Sequence, residues 1–499
     1  MKTISDRNLK KINRVRKKIN KGRIINKDIM KVFAFFAVLF SALIIYLCYF
    51  LSFQSGSVIN NSYNRRSDVL KKSVLRGSII AQDGSALAYS ELDQNGNEIR
   101  VYPYGNVFAH VVGFDSNGMA GLEASYNYYL LTSHLGLFEK ISNEFHHIKN
   151  TGDTLQSTLN AGLQNYIYQL LGNNYGAVIC MNPDTGEIYA MVSKPDFDPN
   201  DISEIWDYLV EDHSENEYAD LTDSVLLNRA TQGLYTPGST FKLFTLYDYW
   251  LEHPDEVNRF SFDCKGIMAV GDTTISCYNG AHGHEDLTAA FANSCNCAFG
   301  TIVSHLDLEH FRSVNEKLLF GRDLPVDIPS KASVFSLSAD DSEFDIMATA
   351  IGQGDTQMTP MHLAMVVSAI ANDGVCMVPH LAKAVLNPYG EITKQFRPQV
   401  YTRLFSETEA QLLKSYLRSV VTDGTAQTVY PGNFQAYGKT GTAQKENEFT
   451  GDYDHSWFVG WAENNEQKLA VCVIVENMET AGMTGVYLSK QIFDYYFGY

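Results

Sequence analysis

Residues 32–53, VFAFFAVLFSALIIYLCYFLSF, form a run of 22 positions without a charge, long enough as a helix to cross the hydrocarbon core of a bilayer. Beyond it the pattern is mixed. Residues 54–152 alternate short apolar and polar stretches around the turn pairs Asp83-Gly84, Asn95-Gly96 and Asn117-Gly118, and predict a small, mostly β module with no strong amphipathic helix before Gly121. From Asp153 the segment TLQSTLNAGLQNYIYQLL predicts a strand and then a helix capped by Asn160. Next, GAVICMNPDTGEIYAMVS places two apolar runs on either side of Asn182-Pro183-Asp184-Thr185-Gly186, the pattern of a β-hairpin.

Residues 196–227 are acidic and loop-like, a helix is predicted over 241–250, and helices and turns continue to about residue 430. Three β-rich runs follow, YGKTGTAQ, HSWFVGWAE and KLAVCVIVEN, the third with the composition of a central strand, and residues 489–499 predict a closing helix. Early hairpin and late strands combine into one antiparallel sheet flanked by helices, an α+β fold. The expected organisation is a basic arm (1–31), a membrane-spanning helix (32–53), a small β module (54–152) and a large α+β domain (153–499). There is no internal repeat or low-complexity linker.

Charge fixes an orientation for this plan. Residues 1–31 carry 12 Lys or Arg against only Asp6 and Asp28, while the whole chain has a net charge of −18. By the positive-inside rule the arm stays cytoplasmic and the rest lies outside, as a single-pass protein of the cell membrane. A cleaved signal peptide is disfavoured by the length of the run and the missing A-x-A site. The acidic body argues against nucleic-acid binding, which needs a basic stripe on the folded part.

Eight cysteines are too few and too scattered for a disulfide-built scaffold. Cys264 and Cys277 flank a short segment and are the expected disulfide pair, the alternative being small buried thiols. Cys295 and Cys297 with His282 and His284 match no standard zinc spacing, so neither metal nor cofactor is expected.

The densest chemical signal is Tyr235-Thr236-Pro237-Gly238-Ser239-Thr240-Phe241-Lys242. Pro237 and Gly238 suit a turn into a helix whose first turn carries Ser239, with Lys242 three residues on along the same face. A serine hydroxyl is a weak nucleophile without a nearby base, and a lysine serves once burial or another cation lowers its pKa. The helix N-terminus also offers N–H groups to a developing oxyanion. This is the chain's one Ser-x-x-Lys. Lys439-Thr440-Gly441-Thr442 lies in a predicted strand, where the lysine supplies a fixed charge and Gly441 lets a peptide backbone approach. Between them stands Ser294-Cys295-Asn296. Ser-x-Asn also occurs at Ser62, Ser125, Ser214 and Ser313, and chain order with context selects Ser294.

The ordered set Ser-x-x-Lys, Ser-x-Asn, Lys-Thr-Gly resembles the signature of the penicillin-recognising serine enzymes. Arg76-Gly77-Ser78-Ile79, Tyr102-Pro103, His110-Val111-Val112-Gly113 and Gly121-Leu122-Glu123 are similar to the pedestal of class B penicillin-binding proteins. AMVSKPDFDPN, GQGDTQMTP and SWFVGWAE are similar to their transpeptidase domain. The segment RGSIIAQDG departs from the family in lacking an Asp-Arg pair before its Asp-Gly turn.

The resemblance implies a peptidoglycan D,D-transpeptidase that crosslinks stem peptides and is acylated by β-lactams. It implies Ser239 as nucleophile, Lys242 as base, Ser294 and Lys439 as proton relay, and Asn296 as holder of a substrate amide. Thr440 and Thr442 would bind the terminal carboxylate, and the N–H groups of Ser239 and Thr442 would form the oxyanion hole. No glycosyltransferase domain is expected, so the implied partner is a multi-span membrane glycan polymerase. The competing readings are a D,D-carboxypeptidase or β-lactamase, which pass the acyl group to water, and a non-enzymatic scaffold or penicillin sensor.

Overall fold

The structure, a computed structural model, describes residues 3–50, 66–210, 224–278, 280–338, 340–429, 433–445, 453–476 and 483–498. They divide into two units, Met1–Arg65 and Arg66–Tyr499. The described residues of the first form one long helix, α1 (Thr3–Tyr49), whose segment Lys27–Tyr49 has a mean hydropathy of 2.5 and the length to cross a membrane. Residues 51–53 of the apolar run lie outside the described residues. The basic arm is helical too, with Leu9, Ile12, Val15 and Ile19 at helical spacing among its lysines and arginines.

The second unit holds two main sheets. One is six-stranded, in the order Ile392–Gln395, Ala382–Leu386, Thr154–Ser157, Ile79–Ile80, Ala86–Leu92, Glu98–Val101. Its hairpins turn where the sequence places them, at Gly84 (φ +90°) and Gly96 (φ +81°), left-handed positions that favour glycine. The first two strands in this order come from far along the chain, so the small sheet is completed by residues of the larger domain. A buried ion cluster braces it. Arg76 Nε and Arg100 Nε donate to the two oxygens of Glu123 at 2.6 and 2.7 Å, and Arg76 Nη2 donates to the Glu123 carbonyl. The Arg-Gly-Ser and Gly-Leu-Glu segments thereby meet in one junction, with Gly77 so close to Asp153 that a Cβ would sit 1.9 Å from its carbonyl oxygen.

The five-stranded antiparallel sheet is built from β1 (Gly176–Met181), β2 (Ile188–Lys194), β3 (Gln435–Lys445), β4 (Tyr453–Glu463) and β5 (Lys468–Val475), in the order β3-β4-β5-β1-β2. β5, the apolar run, is central and buried from Leu469 onward, as expected of a strand with neighbours on both edges and cover on both faces. The predicted hairpin joins β1 to β2 through Gly186 (φ +79°). The helices that matter are α2 (Ala161–Leu171), α3 (Lys242–Glu252), α4 (Leu287–Ala292), α5 (Asn296–Val303), α6 (Pro360–Ala371), α7 (Glu407–Thr422) and α8 (Gly485–Phe497). Asn160 caps α2 by accepting from the Leu163 N–H. α6, buried along its whole length, and α8 both pack on β4 and β5.

Several elements differ from the sequence reading. The stretch read as helices and turns up to about residue 430 also holds short strands, among them Phe262–Cys264, Thr273–Ser276, Ala382–Leu386 and Ile392–Gln395, which pair with nearby segments or, for Ala382–Leu386, also with the distant Thr154–Ser157. Ile202–Val210 is a helix within the acidic stretch taken as loop, because Ile202 and Trp206 pack into a small cluster with Phe114 and Phe197. The closing helix starts at Gly485, four residues early, since Thr484 supplies an N-cap to Tyr487.

Candidate active site

Ser239 sits in a short 3₁₀ turn, Gly238–Phe241, that runs directly into α3. The turn depends on Gly238, which has φ +54° and lies so near β3 that a Cβ would approach the Thr442 carbonyl oxygen to 2.5 Å. The Gly238 N–H donates to the Gly352 carbonyl at 2.8 Å, which gives the GQGDTQMTP segment a structural task beneath the serine. Trp457 Nε1 donates to the Thr236 carbonyl and closes the turn from β4.

Lys242 is fully buried. Its Nζ lies 3.0 Å from Ser239 Oγ, 2.7 Å from the Ser294 carbonyl, 3.1 Å from Ser294 Oγ and 2.6 Å from Asn296 Oδ1. Burial pushes its pKa down to about 7, against the raising influence of the nearby cysteine sulfurs and Glu285. A neutral amine has two hydrogens and one lone pair. The Ser294 carbonyl and Asn296 Oδ1, both obligate acceptors, take the hydrogens and leave the lone pair for the Ser239 hydroxyl proton.

Ser294 occupies the turn between α4 and α5 in a left-handed conformation, φ +58°. Its Oγ is shared by two lysines, with Lys439 Nζ at 2.9 Å. Lys439 is likewise buried, and burial followed by the charge of Lys242 holds its pKa well below the usual lysine range. Burial is what lowers Lys242, and the repulsion between the two lysines is felt by Lys439.

Asn296 has both ends of its amide engaged, the Nδ2 donating to the Ser276 carbonyl at 2.7 Å. Thr440 Oγ1 pairs with Thr425 Oγ1 at 2.6 Å, and Gln353 Nε2 reaches the Thr442 carbonyl at 3.5 Å. A side chain at Gly441 would meet Thr240 at 2.9 Å and the Pro237 carbonyl at 3.0 Å. That glycine therefore lets β3 close on the serine turn. Ser239, Ser294, Asn296, Thr440, Gly441 and Thr442 line one cleft of about 520 Å³, together with Thr425, Gln353, Trp457 and Tyr487. These last four come from distant segments and carry no local motif; only Gln353 and Trp457 fall within stretches that the sequence singles out.

The expected Cys264–Cys277 disulfide is not formed. Both are free thiols with Sγ atoms 3.7 Å apart, far beyond the ~2.05 Å of a disulfide. Cys277 also packs against Cys295 and Cys297, which follow Ser294 in the chain.

Comparison with known proteins agrees with this arrangement. The family model described as penicillin binding protein transpeptidase domain matches residues 176–496, and that of the penicillin binding protein A dimerisation domain matches residues 76–155. Stage V sporulation protein D of Bacillus subtilis is 27% identical over 83% of this chain and 63% of its own length. Peptidoglycan D,D-transpeptidase PbpA of Mycolicibacterium smegmatis is 29% identical over 81% of this chain and 84% of its own. The chain thus spans between about three fifths and five sixths of these relatives. Among solved structures, the D,D-transpeptidase domain of a peptidoglycan glycosyltransferase from Eggerthella lenta is 30% identical with a TM-score of 0.73, covering 85% of this chain and 99% of that one. The penicillin G acyl-enzyme complex of penicillin-binding protein A from M. tuberculosis is 26% identical with a TM-score of 0.71, covering 84% of this chain and 98% of that one. With both family domains matched in order and the serine, two lysines and Ser294 assembled around one cleft, the chain belongs to the class B penicillin-binding protein transpeptidases.

Proposed function

We propose that this protein is a peptidoglycan D,D-transpeptidase acting through a Ser239 acyl-enzyme. The observation that carries the reading is Lys242 Nζ at 3.0 Å from Ser239 Oγ, with two obligate acceptors, the Ser294 carbonyl and Asn296 Oδ1, at 2.7 and 2.6 Å. Lys242 takes the hydroxyl proton as Ser239 Oγ attacks the carbonyl of the penultimate D-alanine of a stem peptide. The tetrahedral oxyanion is held by the N–H groups of Ser239 and Thr442, a contribution of about 3 kcal/mol per donor. Ser294, hydrogen-bonded to both lysines, passes a proton to the departing D-alanine amine. The hydroxyls of Thr440 and Thr442 receive the terminal carboxylate. An amine from a neighbouring stem peptide then enters, loses its proton through the same relay, and displaces Ser239 to form the crosslink. A β-lactam carbonyl enters by the first half of this route and stops at the ester.

The basic residues in the first part of α1 support an N-terminus in the cytoplasm and a cleft outside, by the positive-inside rule. The glycan strands to be joined come from a membrane polymerase that meets the pedestal or the span. Asn296, occupied by Lys242 and Ser276 at rest, turns to the substrate amide when the peptide binds.

The test is incubation of the full chain with a pentapeptide ending in D-Ala-D-Ala and an amino-acid amine acceptor, followed by mass spectrometry. A transpeptidase yields the acceptor-linked tetrapeptide with one D-alanine released per bond. A product that is only the hydrolysed tetrapeptide overturns the assignment in favour of a carboxypeptidase, and no turnover with no adduct in favour of a scaffold.

A further inference from the structure

The helix Leu137–Phe145 turns its apolar side away from the protein. Leu137, Phe138, Ile141 and Phe145 share one face of it, and Ile148 follows just past its end. These five side chains are exposed to 71%, 88%, 50%, 84% and 59%, and no residue of the helix is buried. The polar side is the one tied to the body of the unit. Lys140 Nζ donates to the Ser133 carbonyl at 2.6 Å, the Tyr389 hydroxyl donates to the Glu139 carboxylate and accepts from the Gly136 N–H, and Asn143 Nδ2 donates to Asn150 Oδ1 at 3.1 Å. An ordinary surface helix does the reverse, with its apolar stripe on the core and its polar groups in water. Large apolar side chains held outward by polar contacts behind them mark a surface that something else covers.

Connectivity points to the occupant. The helix Arg66–Ser73 runs into Val74–Leu75, which pairs in parallel with Asn150–Thr151, the strand that Asn143 contacts. The exposed face therefore belongs to the edge of the unit where its chain begins. Only residues 54–65 separate Arg66 from the apolar run, a tether of at most ~45 Å, which keeps a bilayer surface at high effective concentration for that edge. A stable protein–protein interface musters about 20 residues a side, and this face offers five. The charges on the helix are of both signs, Glu139, Lys140 and Glu144, so it favours neither an acidic nor a basic partner. Phenylalanine, leucine and isoleucine along one side of a helix with a polar opposite side are what an interfacial helix needs to lie in the plane of a membrane.

We propose that the helix Leu137–Phe145 docks on the phospholipid surface of the bilayer that α1 spans, its five apolar side chains entering the boundary between headgroups and acyl chains. Docking there would hold the second unit at one height over the bilayer instead of anywhere within the radius of its tether. The attachment is driven by apolar area, so it does not require anionic lipid.

The test uses the full chain in phosphatidylcholine nanodiscs, with Phe138→Trp as reporter at a position whose exposure leaves the fold undisturbed. The chain's own tryptophans, at 206, 250, 457 and 461, lie outside this helix and α1, and the unsubstituted protein supplies their background. Lipid brominated near the headgroup end of its acyl chains is expected to quench the added emission by about twofold or more, equally at low and high salt. Adding Leu137→Ser and Phe145→Ser to the reporter chain should abolish that quenching while thermal unfolding stays in place. Absence of quenching in a folded chain that co-elutes with the discs overturns the proposal. If that chain is also dimeric, and monomeric once the serines are introduced, the face belongs to a second copy. Quenching that survives the serine substitutions unchanged overturns the assignment to this face. The proposal rests on α1 as the anchor, and a chain that does not co-elute with the discs overturns both. Quenching is read without activity, so it stands apart from the acyl-enzyme reading.

Discussion

Lys242 draws its base character from its surroundings. Four contacts within 3.1 Å crowd one buried nitrogen, and two of them are atoms that only accept. Lys242→Met, which keeps the length and apolar stem, is expected to lower the rate of penicillin acylation by about 10²- to 10⁴-fold while leaving thermal unfolding in place, measured by stopped-flow labelling and calorimetry. Gly238→Ala should be as damaging by another route. Its Cβ would overlap the Thr442 carbonyl and its φ of +54° resists a side chain, so acylation is lost and unfolding moves to lower temperature. At this scale much was legible. Ser239 and Lys242 meet because a helical turn brings i and i+3 together, a relation that spacing alone expresses. Ser294 was one of five Ser-x-Asn matches, and only chain order together with local context separated it from the others. Thr425 and the Cys264–Cys277–Cys295 contacts were not legible as such, since spacing says nothing about which distant segments the fold brings together.

Among elements, the well-formed ends are the ones with side-chain chemistry to satisfy them. α7 opens on a capping box, the Ser406 hydroxyl accepting from the Glu409 N–H and the Glu409 carboxylate accepting from the Ser406 N–H. Ser406→Ala should cost about 1 kcal/mol in denaturant unfolding with no change in acylation. The Arg76–Glu123–Arg100 cluster behaves differently. Glu123→Gln leaves two buried guanidinium groups facing a neutral amide, and a loss of about 3–5 kcal/mol is expected, read as a lower denaturation midpoint. A loss below about 1 kcal/mol would mean that water reaches the cluster. The hairpins were readable because Asp-Gly, Asn-Gly and Asn-Pro-Asp-Thr-Gly dictate their own turns. The six-stranded sheet was not, because Ala382–Leu386 pairs with Thr154–Ser157 across more than 220 positions of chain. The helix Ile202–Val210 was hidden by acidic neighbours, its apolar face being explained only by Phe114 and Phe197.

For the molecule as a whole, stability should fall on the acid side of neutrality. Burial lowers the pKa of His362 and of His110 to about 4. The neutral ring of His362 bonds through Nε2 to the Leu318 carbonyl, and its Nδ1 has no partner. Since the folded pKa lies below the ordinary value of ~6.5, this contribution is complete above ~6.5 and is lost as pH falls toward and through about 4, a total of about 3 kcal/mol for His362. Asp248, whose pKa burial raises to about 7, works in the opposite sense. His362→Gln should therefore shift the acid limb of the melting-temperature profile to lower pH relative to the unsubstituted protein.

The central claim is that Ser239 is the residue acylated. Its most direct measurement is intact-mass and peptide mapping of the full chain after reaction with penicillin G. The account predicts one penicilloyl adduct per chain, on the peptide containing Ser239, and none in Ser239→Ala. An adduct that persists in that variant, or a folded unsubstituted protein that forms none, would contradict it.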